Sequence, residues 1–375
     1  SHGKTPRGEW RFWLEKDIKK AIRLLKSGKL NIPEYAQVIY PSEHEITHFL
    51  TTTKNENLYF DIETRTDGSL AVTVFSVSTD SSPIYTVPLL LHSDEYAYQP
   101  NTHKVLRALS VALRDNTVVI HNSMFDLFVL MYKYHLPIGN KVYDTMLAYS
   151  RCFPEVRKSL GHAISLLTDL PYHKNDSGTF NPHTSQQDYQ LWSYNAMDVF
   201  SMRLVKQELD RYANKTPGLQ QSIEQINNSI VPYLTMTMTG LRFSQSEMDA
   251  KRLHHDRRMT QMLRILKVLV GYDINPRSPA QVKKYLYNEL KLKCPNTDAP
   301  TNEKTLMKLL TKHDVPAIPV VLEFRGLGKE YGMMAFKPWP SMLPDKLYEP
   351  RVTTAWKLGG TTTFRRASAT LLAQK

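Results

Sequence analysis

The sequence predicts an α/β protein built on a mixed sheet flanked by helices. Runs rich in β-branched residues cluster between residues 58 and 92, separated by turn signals. From residue 101 onward, helical and strand patterns alternate, and residues 186–213 read as one long helix. At 375 residues the chain exceeds one ordinary core, so two or three domains are expected.

Residues 9–27 form an amphipathic basic helix in which Trp10, Trp13, Leu14, Ile18, Ile22 and Leu25 share a face expected to dock on a neighbour. Residues 31–57 read as loop and short elements leading into the first strand. That strand, Asn57-Leu58-Tyr59-Phe60-Asp61-Ile62-Glu63-Thr64, runs three apolar or aromatic residues into two carboxylates. Residues i and i+2 of a strand point the same way, so Asp61 and Glu63 share a face. Carboxylates that close repel unless a cation lies between them, and oxygen ligands suit Mg²⁺ or Mn²⁺. The runs 70–77 and 84–87 follow, divided by Asp67-Gly68 and Ser81-Ser82-Pro83, and complete a meander.

Residues 101–114 are helical and Thr117–His121 form a short buried-type strand. This strand feeds a helix with Asn122 or Ser123 as its cap and Asp126 in its first turn, where an acid also answers the positive helix end. Asp144-Thr145 opens another helix and Ser159–Leu170 a further one. In the long helix, Tyr194 and Asp198 are four apart and share a face. Asp198 lies between Met197 and Val199, a setting in which a buried acid needs a partner.

The composition, 41% hydrophobic and 22% charged, is that of a soluble globular protein. No apolar run approaches membrane-spanning length, no secretory leader is recognisable, and no membrane partner is expected. Cys152 and Cys294 lack paired spacing, which points to a reducing compartment and away from zinc. The formal charge of +12 is unevenly spread. Residues 1–199 carry 20 Lys and Arg against 21 Asp and Glu, whereas residues 200–375 carry 28 against 15, a net of +13. Such a basic half is either a well-solvated surface or the footprint of a polyanion such as nucleic acid.

Asp-x-Glu on the first strand, Asn-x-x-x-Asp at a strand–helix junction and Tyr-x-x-x-Asp on a later helix occur in this order. In these motifs residues 57–213 resemble the DEDDy group of 3′→5′ exonucleases, which have a ribonuclease-H-like fold. The resemblance implies that Asp61, Glu63, Asp126 and Asp198 hold two divalent metal ions, Mg²⁺ or Mn²⁺, and that Tyr194 orients the attacking water. It further implies that Asn122 orients the site or the substrate strand. Phe125, Leu127 or Phe128 would stack on terminal bases if not taken up by the core.

The second half resembles family A DNA polymerases in Thr239–Ser244, in Asn275–Leu292, in Thr301–Leu306 and in the Leu322–Tyr331 helix. Gly360–Arg365 with Ser368 resembles the start of that family's palm, with Arg365 in a DNA-binding position; Phe364 and Ala367 depart from the family's usual Gly and Ser. The implied organisation is an N-terminal helix and lead-in (1–56), an exonuclease domain (57–213), a mostly helical thumb-like region (214–350) and the beginning of a palm (351–375). The resemblance implies proofreading on DNA, with a single-stranded 3′ end at the exonuclease site and duplex at the thumb, in the cytoplasm of a bacterial or phage-infected cell. With no further palm or fingers motif after residue 375, the chain alone is not expected to extend DNA. It reads as a shortened form of a longer polymerase or as one half of a split one whose palm and fingers lie on another chain. An RNA-trimming nuclease of the ribonuclease D type and a non-catalytic DNA-binding subunit are the rival readings.

Overall fold

The computed structural model describes residues 9–28, 33–170, 182–242, 244–333, 351–352, 355–359 and 367–369. Two compact units emerge, residues 1–240 with 353–375, and residues 241–352.

The first unit runs α1 (Glu9–Ser27), β1 (Gln37–Ile39), α2 (Glu43–Thr52), β2 (Asn57–Thr64), β3 (Val72–Ser78), β4 (Ile84–Pro88), α3 (Thr102–Asp115), β5 (Thr117–Ile120), α4 (Ser123–Lys133), β6 (Val142–Asp144), α5 (Thr145–Cys152), α6 (Leu160–Leu167), α7 (Ser185–Asn214), α8 (Leu219–Asn227) and α9 (Ile230–Thr239). Strands β1 to β6 form one sheet in the order β1-β4-β3-β2-β5-β6. The meander β2-β3-β4 is antiparallel, and β1, β5 and β6 add in parallel. The mixed sheet flanked by helices is therefore the fold class that the sequence indicated.

The sheet is covered on both faces, which is why its central strands read as continuous apolar runs. Leu58, Tyr59, Phe60, Val74, Phe75 and Val77 are at most 1% exposed. Each such large side chain contributes about 1.5–3 kcal/mol of burial. One face packs on α7, whose inward stripe includes Leu191, Ala196, Val199, Met202 and Val205.

The lead-in resolves into short elements, and α1 differs from its expected docking. The lead-in contains β1, which extends the sheet, and α2, which Ser42 caps by accepting from the Glu45 N–H. On α1, Leu14, Ile18, Ile22 and Leu25 are exposed rather than docked, Leu25 by 83%. Lys20, donating to the Thr168 carbonyl at 2.7 Å, and Arg23, paired with Asp169, make the contacts instead.

The second unit runs β7 (Leu241–Arg242), α10 (Gln245–Val270), α11 (Pro279–Lys283) with a π-helical continuation (Lys284–Glu289), α12 (Glu303–Leu310), α13 (Ala317–Met333) and β8 (Arg351–Val352). Its core gathers Leu266, Ile274, Val282, Leu286, Leu306 and Ile318. Gly271 ends α10 in the left-handed region at φ 89°, where a side chain would be strained. Arg325 of α13 donates to the carbonyls of Pro276 and Thr301, tying both connecting loops to that helix. The mostly helical C-terminal part is as expected. After it, β9 (Ala355–Lys357) pairs with β10 (Ala367–Ala369). Among the described residues no helix is long and apolar enough to cross a membrane. Cys152 and Cys294 are both free.

Candidate active site

The site begins with a mismatch in strand length. β2 pairs with β3 as far as Thr64, but with β5 only over Asn57–Tyr59. Past Tyr59 the strand therefore has a neighbour on one side alone, and Asp61 and Glu63 lie on this overhang. They share the face of Tyr59, which packs into the same cluster as Ala196 and Val199 of α7. Here α7 changes character. Its mostly apolar inward stripe carries Asn195 and Asp198 here, both buried.

A ligand oxygen from each of Asp61, Glu63 and Asp198 lies within 4.8 Å of the others. Asp61 is 9% exposed and Asp198 4%. Three carboxylates gathered so closely, two of them buried, form an all-oxygen donor set that fits a hard divalent cation such as Mg²⁺ or Mn²⁺. Tyr194 is partly buried, one turn before Asp198 on the same helical face.

Asp126 stands beside this trio, outside the 4.8 Å set. It is buried in the first turn of α4, just after β5 ends. Burial pushes its carboxyl well above the usual carboxylate range; the Asp61 and Asp144 charges add to the rise, and backbone hydrogen bonds from its own amide and from Ile62 oppose it. The Ile62 amide lies on the part of β2 that β5 does not pair, so the overhang serves Asp126 as well.

The turn into α4 corrects one expectation. Asn122 occupies the cap position in the left-handed region, φ 68° and ψ 47°, but its side chain makes no capping hydrogen bond. Asn is among the few residues that tolerate this region. The capping is done by Asp144. Its Oδ2 accepts from the Ser123 N–H at 2.8 Å and hydroxyl at 2.7 Å; its Oδ1 accepts from the amides of Asn122, Met146 and Leu147. One wholly buried carboxylate thus caps both α4 and α5. Asn122 is left exposed, as is Phe125 one turn later, whereas Leu127 and Phe128 are buried in the core. Of the three candidates for stacking, Phe125 alone is outside the core. Arg365 lies outside the described residues.

Two polar residues of this neighbourhood are not among the site residues expected from the sequence. Asn195 donates from Nδ2 to Asp61 Oδ2 at 2.7 Å, and its own Oδ1 is buried without a hydrogen-bond partner. Such an orphan costs about 1–3 kcal/mol. Asp144 is the other. For Asn195 the signal was a polar residue one position after Tyr194, beside the apolar Leu191, Ala196 and Val199.

No family model matches the chain. It is 26% identical over 348 residues to DNA polymerase I of Helicobacter pylori strain J99, an alignment covering 88% of this chain and 36% of that protein. It is 28% identical over 334 residues to DNA polymerase I of Aquifex aeolicus, covering 83% of this chain and 53% of that protein. The chain thus spans about a third to a half of the length of these relatives. Among solved structures, the polymerase domain of Pol1 from M. smegmatis, in complex with DNA primer-template and dNTP, superposes with a TM-score of 0.66. The match covers 89% of this chain and 55% of that one at 14% identity, a likeness of fold. Over most of its length, this chain is similar to DNA polymerase I.

Proposed function

We propose that this chain is a metal-dependent 3′→5′ exonuclease acting on DNA, the exonuclease and thumb portion of a family A polymerase. The observation that carries the reading is the convergence of Asp61, Glu63 and Asp198 from β2 and α7 to within 4.8 Å. Residues 57–213 would be the exonuclease domain with a ribonuclease-H-like fold, 214–350 the thumb-like region and 351–375 the beginning of a palm.

Asp61, Glu63 and Asp198 would hold the cations, with Asp126 joining from α4 and Asp61 central among them. Two Mg²⁺ or Mn²⁺ ions held there would supply an activated water and relief of charge on the leaving 3′ oxygen. Tyr194 would position that water through its phenol, which can donate a hydrogen bond. The exposed pair Asn122 and Phe125 would meet the terminal nucleotides, Asn122 by hydrogen bonding and Phe125 by stacking. The basic residues of the C-terminal half would follow the phosphates of the duplex.

The test is release of mononucleotides from 3′-labelled single-stranded DNA in Mg²⁺, beside a matched RNA. Asp61→Ala and Asp198→Ala should each lose more than the roughly 10–100-fold that follows loss of a residue supporting a metal ligand. Tyr194→Phe should lose less than either. DNA binding in EDTA should survive all three changes. Digestion by Asp61→Ala at the parental rate would overturn the assignment, and preference for the RNA would move it to the ribonuclease D type.

A further inference from the structure

We propose that Asn195 is a positioning residue for the metal site, holding the Asp61 carboxylate in the orientation that receives a cation. The inference rests on the metal-dependent reading above and adds to it a residue that the exonuclease motifs do not include.

Asn195 is wholly buried in the inward stripe of α7, where its neighbours Leu191, Ala196 and Val199 are apolar. Its Nδ2 donates to Asp61 Oδ2 at 2.7 Å. That bond restrains rotation of the carboxylate about its Cβ–Cγ bond and engages one of its two oxygens. The amide cannot serve in the reverse orientation, which would set its oxygen against the carboxylate oxygen. Asn195 Oδ1 is left buried without a hydrogen-bond partner. A leucine, of nearly the same shape, would fill the stripe and leave no orphaned acceptor. The amide is therefore a poor choice for packing alone, and its contribution lies in the bond to Asp61.

The neutrality of the donor also matters. A lysine or arginine in this place would hold Asp61 equally firmly, but its charge would offset the attraction that Asp61, Glu63 and Asp198 together exert on a cation. An amide fixes the ligand and leaves the negative charge of the trio undiminished. This is the usual way in which a residue behind a metal ligand sets its direction.

The experiment titrates Mn²⁺ alone, without DNA, into the full chain, followed by calorimetry and electron paramagnetic resonance. The parent is compared with Asn195→Leu, Asn195→Ala, Asp61→Asn and the double variant Asp61→Asn/Asn195→Leu. Both Asn195 variants should melt within a few degrees of the parent and bind Mn²⁺ about 10–100-fold more weakly. In the Asp61→Asn background, Asn195→Leu should add less than about 2-fold, since the group it holds is gone. Parental Mn²⁺ affinity in a folded Asn195 variant would overturn the proposal while leaving the metal reading intact. The same fold-loss with and without the Asp61 carboxylate would overturn it too, as would loss of folding in both single variants, which would assign Asn195 to the core. A parent that binds no Mn²⁺, or an Asp61→Asn chain that binds it as the parent does, would remove the metal reading and this proposal together.

Discussion

Asp144 illustrates how much one side chain can organise. Its two oxygens accept five hydrogen bonds from the first turns of α4 and α5, so the segments bearing Asp126 and Asn122 are fixed by a residue distant from both in sequence. A helix cap is worth about 0.5–2 kcal/mol, and two are lost together here. Asp144→Ala should therefore lower stability by roughly 1–4 kcal/mol in denaturant unfolding, with Asp144→Asn falling between it and the parent. From the sequence, Asp144 was readable as the residue opening α5, because that bond is local. Its reach to Asn122 and Ser123 was not, since it depends on β5 and β6 lying side by side. Asp61, Glu63, Asp126 and Asp198 were readable as a set because three motifs in order held them; of these, Asp61, Glu63 and Asp198 lie within 4.8 Å of one another. Asn195 lay inside the third motif without a spacing rule to single it out.

Among the elements, α6 and α5 share a partly buried polar contact that makes stability depend on pH. The Tyr149 hydroxyl lies 3.0 Å from His162 Nδ1. Burial, with Arg157 and Lys158 nearby, lowers the His162 pKa from 6.5 to about 4. Between those values the unfolded chain holds the extra proton and the folded chain does not, so stability falls as pH falls through this window. The loss is complete below about pH 4 and amounts to about 1–3 kcal/mol. His162→Phe should remove this part of the acid sensitivity, as read from midpoints of urea unfolding at pH 7, 5.5 and 4. Long, strongly patterned elements such as α1, α3 and α7 were legible nearly to their ends. The lead-in was legible only as loop and short elements, because the three residues of β1 carry too little periodicity to name a strand and the buried residues of α2, Ile46 and Leu50, are too few to mark a face. The outward face of α1 shows the limit of amphipathicity: the pattern gives the helix, but not whether the apolar stripe is covered.

At the scale of the whole molecule, charge and architecture divide the chain in related ways. The excess of basic residues falls after residue 199, in the half that includes the helical unit 241–352. If this half follows a phosphate backbone, DNA affinity in EDTA should drop steeply with salt, with a log–log slope of several units. Fluorescence anisotropy from 50 to 200 mM salt measures it, and a slope near zero would count against duplex binding there. The fold class was legible from strand clustering and helix–strand alternation, because both are statements about periodicity. The union of residues 1–240 with 353–375 was not, since it depends on where the chain returns after a long excursion. The overhang of β2 is the feature that makes the acidic trio usable. Clamped on both flanks at its root and on one at its tip, the strand offers its carboxylates from a stiff ledge with an open shoulder. Lengthening β5 by two paired residues would zip that shoulder shut, claim the Ile62 amide for the ladder and turn Asp126 away. What the ledge gains in access depends on its neighbour stopping short.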